Sequence, residues 1–128
     1  MEKHFNLSDH GIAFATREKG CVVGEKIKNT LISINATDTL IINGKGVKAV
    51  SYSFMDELLA RIMDAWARPE HAEKKIALAE WEEPILQAFK TTQVQRHLIL
   101  NNLYILESSD RKTTGKARTR SVKEHQLV

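Results

Sequence analysis

Seven apolar residues, Phe54, Met55, Leu58, Leu59, Ile62, Met63 and Trp66, recur at steps of one, three and four along SFMDELLARIMDAW. Those steps place them on one side of an α-helix, where 3.6 residues make a turn. Asp56, Glu57, Arg61, Asp64 and Arg68 take the other side. Pro69 stops the helix, because it lacks an N–H and disfavours helical geometry in the residue before it. A helix with one apolar face needs a second apolar surface to cover it, and the rest of the chain must supply that surface.

Short runs rich in β-branched residues are the candidates. TLII, 39–42, is four apolar or β-branched residues followed by NGKG, which predicts a buried strand running into a turn. IALAEW, 76–81, is a second strand candidate. FNLSDHGIAFAT, 5–16, reads as one or two strands around an Asp-His-Gly turn, with Phe5 and Leu7 alternating and then Ile12 and Phe14. LYILE near the end is a last edge strand, or one arm of a hairpin with LIL across Asn101-Asn102.

Two more helices lie between these runs. In CVVGEKIKNTLISI, 21–34, Val23, Ile27, Leu31 and Ile34 share one helical face, after a polar break at REKG, 17–20. Gly24 costs that helix about 1 kcal/mol relative to Ala, and the many β-branched residues leave a strand as the competing reading. The third helix opens at EEPILQAF with Pro84 at its first turn beside Glu82 and Glu83, and runs to about Gln95. Strands alternating with helices define an α/β sandwich. The expected sheet is mixed or mostly parallel, with about four to five strands and about three helices.

A chain of 128 residues suits one domain, and 42% hydrophobic residues suffice for a core. The basic character is local. Six of the 19 Lys/Arg but only two of the 16 Asp/Glu fall in residues 110–128, so the body is close to neutral. From Ser108 on there is almost no apolar residue before Leu127. Such a segment buries too little surface to offset its ordering entropy. The division expected is a domain over 1–108 and a basic disordered tail over 109–128.

The single cysteine, Cys21, precludes an intramolecular disulfide and fits a reducing, cytoplasmic setting. MEKHFNLSDHG lacks the basic head and apolar stretch of a secretory leader. No window approaches the roughly 18 apolar residues of a membrane span, so no membrane partner is expected.

Motifs for chemistry are sparse. Gly44-Lys45-Gly46 follows a strand, but a phosphate-binding loop needs Gly-x-x-x-x-Gly-Lys-Ser/Thr leading into a helix, and Val47 follows here. The glycines are better explained by a turn. His4, His10, His71, His97 and His125 form no pair at helical metal-ligand spacing. There is no Gly-x-Ser-x-Gly elbow, and Cys21 is more simply a small, partly buried apolar residue. Asp56 and Glu57 point roughly 100° apart on a helix, which suits a solvated face better than a catalytic carboxylate pair. No enzyme, metal or cofactor is expected. The basic tail offers nucleic acid a non-specific, salt-sensitive contact without an aromatic side chain to stack on bases; a nucleic-acid-associated protein is thus the alternative function.

The entrance to the 54–66 helix carries Ser51, Tyr52 and Ser53. Ser53-Phe54-Met55-Asp56 is Ser-x-x-Asp before an apolar helix, a variant of the capping box, in which Ser53 would cap the helix and Asp56 bond back to it. A phosphate at this position would meet the positive end of the helix dipole and the negative charges of Asp56 and Glu57. TLIINGKGVK followed by AVSYSFMDELLARI resembles the core of STAS domains, which include the bacterial anti-sigma-factor antagonists. In those a strand ends in Asp-Ser-Ser-Gly, and a partner kinase phosphorylates the second serine. That serine falls on Ser53, with Ser51, Tyr52 and Phe54 at the Asp, Ser and Gly positions. Over about residues 12–100 the chain is more similar to the bacterial STAS-like family of unknown function. The similarity rests on Ser53, Phe54, Asp56, Glu57, Leu58 and Leu59, with Phe14-Ala15-Thr16-Arg17 upstream. It implies a STAS-like fold and a regulatory, non-enzymatic protein-binding module. It further implies a partner of the histidine-kinase-type ATPase class, Ser53 and then Ser51 as phospho-acceptors, and Tyr52, Phe54, Asp56 and Glu57 as the contact.

Overall fold

The computed structural model describes residues 1–106 and 119–121. In chain order the elements are β1 (Glu2–Asn6), β2 (Ala13–Phe14), α1 (Arg17–Ser33), β3 (Thr39–Asn43), β4 (Ala49–Val50), α2 (Tyr52–Trp66), β5 (Lys75–Ala79), α3 (Glu83–Gln95), β6 (Leu103–Leu106) and β7 (Thr119–Ser121). The main sheet has the order β1-β3-β5-β6-β7. Its first four strands are parallel, and β7 runs antiparallel to β6. The chain is therefore an α/β sandwich with three helices and a mostly parallel sheet.

Each helix-containing crossover moves the chain one strand further in the same direction. Crossovers of one hand then place all the helices on the same face of the sheet. The core has that arrangement. Leu40 and Ile42 of β3, Ile76 and Leu78 of β5 and Leu103 of β6 join a single cluster with Val23, Ile27 and Leu31 of α1, Phe54 to Trp66 of α2 and Ile85 to Phe89 of α3. The strand residues of opposite parity, Ile41, Ala77 and Ala79, form a separate small cluster with Tyr104 and Leu106 on the other face. Both faces of β3 and β5 are thus apolar, which accounts for the continuous runs TLII and IALA in place of alternation.

β1 is an edge strand with mostly exposed, polar residues, as unpaired edges commonly are. It starts three residues before the apolar signal at Phe5. Leu7 does not continue the strand; it is buried from a 3-10 turn over Leu7–His10. The LIL run forms no strand, so β6 has no hairpin partner there. In place of that partner it has β7, three residues of the basic tail. The rest of the expected disordered tail lies outside the described residues. No helix among the described residues is long and apolar enough to cross a membrane.

REKG, 17–20, is the first turn of α1 and not a break. The Thr16 hydroxyl accepts from Lys19 N at 3.0 Å and caps the helix. Gly20 and Gly24 account for the low helix propensity of this segment, because α1 presses against α2 at both. A Cβ on Gly20 would lie 2.5 Å from the Phe54 carbonyl oxygen, and one on Gly24 2.8 Å from Arg61 Cβ. At its other end α1 is held by Lys74, which is 4% exposed and donates from Nζ to the Leu31 and Ile32 carbonyls at 2.9 and 3.0 Å. A cation there meets the negative end of the helix.

Candidate functional site at the start of the second helix

The loop after β3 sets the position of α2. Gly44 N donates to Ala79 O at 2.8 Å and Val47 N to Gly44 O at 3.1 Å, while the Asn43 side chain accepts from Lys45 N at 2.8 Å. The glycine-rich segment is a turn, as its sequence implies, and Gly44 leaves room for Trp81, whose ring atom would lie 2.8 Å from a Cβ there. The chain then forms β4, which pairs in parallel with β2 through Ala13–Ala49 and Phe14–Val50. These two short strands lead directly into α1 and α2, so both helices start side by side.

Ser51 caps α2. Its hydroxyl accepts from Phe54 N at 3.0 Å and donates to Ala15 O at 3.0 Å, and its N–H donates to Phe14 O at 2.9 Å. This corrects the capping box centred on Ser53. The cap falls two residues earlier because Ser51 ends the β2–β4 ladder in extended geometry (φ −91°, ψ 162°), which is the geometry a capping residue needs. Ser53 sits inside the first turn, exposed, and its hydroxyl makes no hydrogen bond among the described residues. Tyr52 beside it is 57% exposed.

The other candidate contact residues divide. Phe54 is fully buried and stacks on Phe14 at 4.7 Å between ring centroids. Its place in a partner contact is corrected: it belongs to the core, where the helix period directs it. Asp56 does not bond back to Ser53. It accepts from Arg17 Nη1 at 2.7 Å, from Arg96 Nε at 2.6 Å and from Arg96 Nη2 at 3.3 Å. Arg96, and then Arg17, hold its carboxyl below the usual carboxylate range. Glu57 accepts from Arg61 Nε at 2.8 Å and from Arg17 Nη1 at 3.4 Å.

The charges continue down the seam between α1 and α2. Arg61 reaches Glu25 at 3.4 Å, and Lys28 reaches both Glu25 at 3.4 Å and Asp64 at 2.9 Å. The polar side of α2 is thus a ladder of ion pairs and not a freely solvated face. In the sequence Arg17 figures only in the upstream Phe14-Ala15-Thr16-Arg17 similarity and Arg96 not at all, and neither is tied to Asp56. They come from the start of α1 and the end of α3, about 40 residues to either side of Asp56, and only the fold brings them together.

Other features lie elsewhere. A cleft of about 240 Å³ opens between Met63, Trp66 and Ala67 of the last turn of α2 and the segment Ile99–Asn102, at the opposite end of that helix. Among the described residues no group of three or more His, Cys, Asp or Glu is placed to hold a metal ion. Cys21 is half-buried on α1.

Fold and site together define a singly wound α/β sandwich whose helix starts are tied by a two-strand ladder and an arginine–carboxylate cluster. No protein-family model, curated protein or solved structure matches the chain.

Proposed function

We propose that this protein is a non-enzymatic regulatory module, STAS-like and acting in the cytoplasm, that docks on a signalling partner of the histidine-kinase-type ATPase class. The docking surface is the start of α2, and Ser53 is the residue that switches it. One observation supports this reading above the others: Ser51 performs the capping, so Ser53 takes no part in the cap and is exposed with Tyr52 on the first helical turn. An exposed hydroxyl on an ordered turn is accessible to a kinase, and its modification changes local charge by nearly two units. Asp56 and Glu57, one turn further along α2, belong to the same surface and are paired with Arg17, Arg96 and Arg61.

The test is to express an N-terminally tagged chain in its native host and identify bound proteins and phosphopeptides spanning residues 49–66. Expected is an ATPase whose binding is lost in Tyr52→Ala and Ser53→Asp and kept after deletion of residues 110–128. Wild-type binding by both substituted chains would refute the role of this surface. Nucleic acid recovered without protein, and lost with the tail, would put the alternative reading in its place.

A further inference from the structure

Two guanidinium groups from different helices converge on Asp56, and Ser53 lies one turn before it on the same face of α2. Residues three apart on a helix have Cβ atoms about 5–6 Å apart. A phosphate on Ser53 therefore falls within reach of side chains that already meet at Asp56. Arg17 is 53% exposed and Arg96 37% exposed, so neither guanidinium is locked in the core. Glu57 has its closer partner in Arg61 at 2.8 Å and shares Arg17 at 3.4 Å, so the short contacts of Arg17 and Arg96, at 2.7 and 2.6 Å, are both to Asp56.

We infer that Arg17 and Arg96 are the receptor for a phosphoryl group on Ser53, exchanging the Asp56 carboxylate for the phosphate. This rests on Ser53 being the switch, as proposed above. The modification itself needs a nucleoside triphosphate. The Ser53 oxygen bonds to the terminal phosphorus, the bond from that phosphorus to the bridging oxygen breaks, the diphosphate leaves and the hydroxyl proton passes to a base on the kinase. The product is a dianion with three acceptor oxygens, against one charge and two oxygens on Asp56. Arginine forks bind such groups through paired N–H donors. Because Arg17 opens α1 and Arg96 follows α3, the exchange would transmit the state of one side chain on α2 to both neighbouring helices. The phosphate would then be drawn onto the protein's own surface, and a partner that recognises a free Ser53 turn would lose it.

The experiment places phosphoserine at position 53 of the full chain and follows phosphorus resonance against pH. The charged groups facing it are Arg17 on α1, Asp56, Glu57 and Arg61 on α2, and Arg96 after α3. Expected is a second phosphate pKa at least about half a unit lower in the otherwise wild-type chain than in Arg17→Gln/Arg96→Gln. An equal or higher value in the otherwise wild-type chain would overturn the inference. A second measurement needs no variant: the Nε–Hε resonances of Arg17 and Arg96 shift on phosphorylation if the exchange occurs, and their staying in place would overturn it. Either failure leaves docking of the unmodified chain untouched, since that is read by ATPase binding.

Discussion

Ser51 and Ser53 are two residues apart, and substitution separates their roles. Ser51→Ala removes the acceptor for Phe54 N and the donor to Ala15 O. It is expected to cost about 1 kcal/mol or somewhat more, seen as a lower urea midpoint. Ser53→Ala removes no hydrogen bond and is expected to stay within about 0.5 kcal/mol of wild type. The reverse order would return the cap to Ser53. Asp56 supplies a pH signature. Its folded pKa lies below the unfolded value because Arg96 and Arg17 favour the charged form, so its contribution is complete above the ordinary carboxylate range. That contribution is lost as pH falls below about 4 and through the lowered folded value. Melting temperature measured against pH is therefore expected to fall less steeply on acidification in Asp56→Asn than in wild type, from a lower start near neutrality. Parallel curves would mean that the pairs contribute nothing to the stability of the fold.

Among the elements, the contact of α1 with α2 is the least tolerant of added atoms. Alanine has a helix propensity about 1 kcal/mol better than glycine, yet Gly20→Ala and Gly24→Ala are both expected to destabilise, because overpacking costs about 1–3 kcal/mol. Gly20→Ala is expected to be the worse, since its new methyl meets a backbone carbonyl that cannot rotate aside. Thermal melts of the two variants decide this, and a Gly20→Ala chain as stable as wild type would show that the helices can part there. The same contact explains where the sequence was and was not legible. α2, β3 and β5 carry periodicity or continuous apolar runs and α3 a proline-and-acid start, and their approximate positions follow from those signals. The first turn of α1 is hidden because its residues are polar and its glycine, Gly20, serves the neighbour rather than the helix. β1 is hidden because an edge strand needs few apolar residues. The Ser-x-x-Asp pattern was a true signal of a nearby helix start but placed the cap two residues late, since the β2–β4 ladder that ends at Ser51 is a tertiary feature. The meeting of Arg17 and Arg96 at Asp56 was out of reach of any local pattern.

For the molecule as a whole, stability should fall from the middle of the sheet outward. β3 and β5 are paired on both sides and apolar on both faces, so their amides are expected to exchange with solvent only through global unfolding. β1 and the two-residue β2–β4 ladder should open through smaller, local events. Hydrogen exchange resolved by residue measures this directly, and equal protection of β1 and β3 would contradict it. The paired starts of α1 and α2, with no room to slide at Gly20 and Gly24, have a mechanical consequence. Any tilt of one helix would have to carry the other with it, as a single lever. α1, at 17 residues, is about 25 Å long. A tilt of about 5° imposed at the Ser51 end would displace the far end by about 2 Å, given that length. That far end is where Lys74 grips the last carbonyls of α1, so a load applied beside Ser53 would be felt as tension on a buried ammonium at the other end of the sandwich.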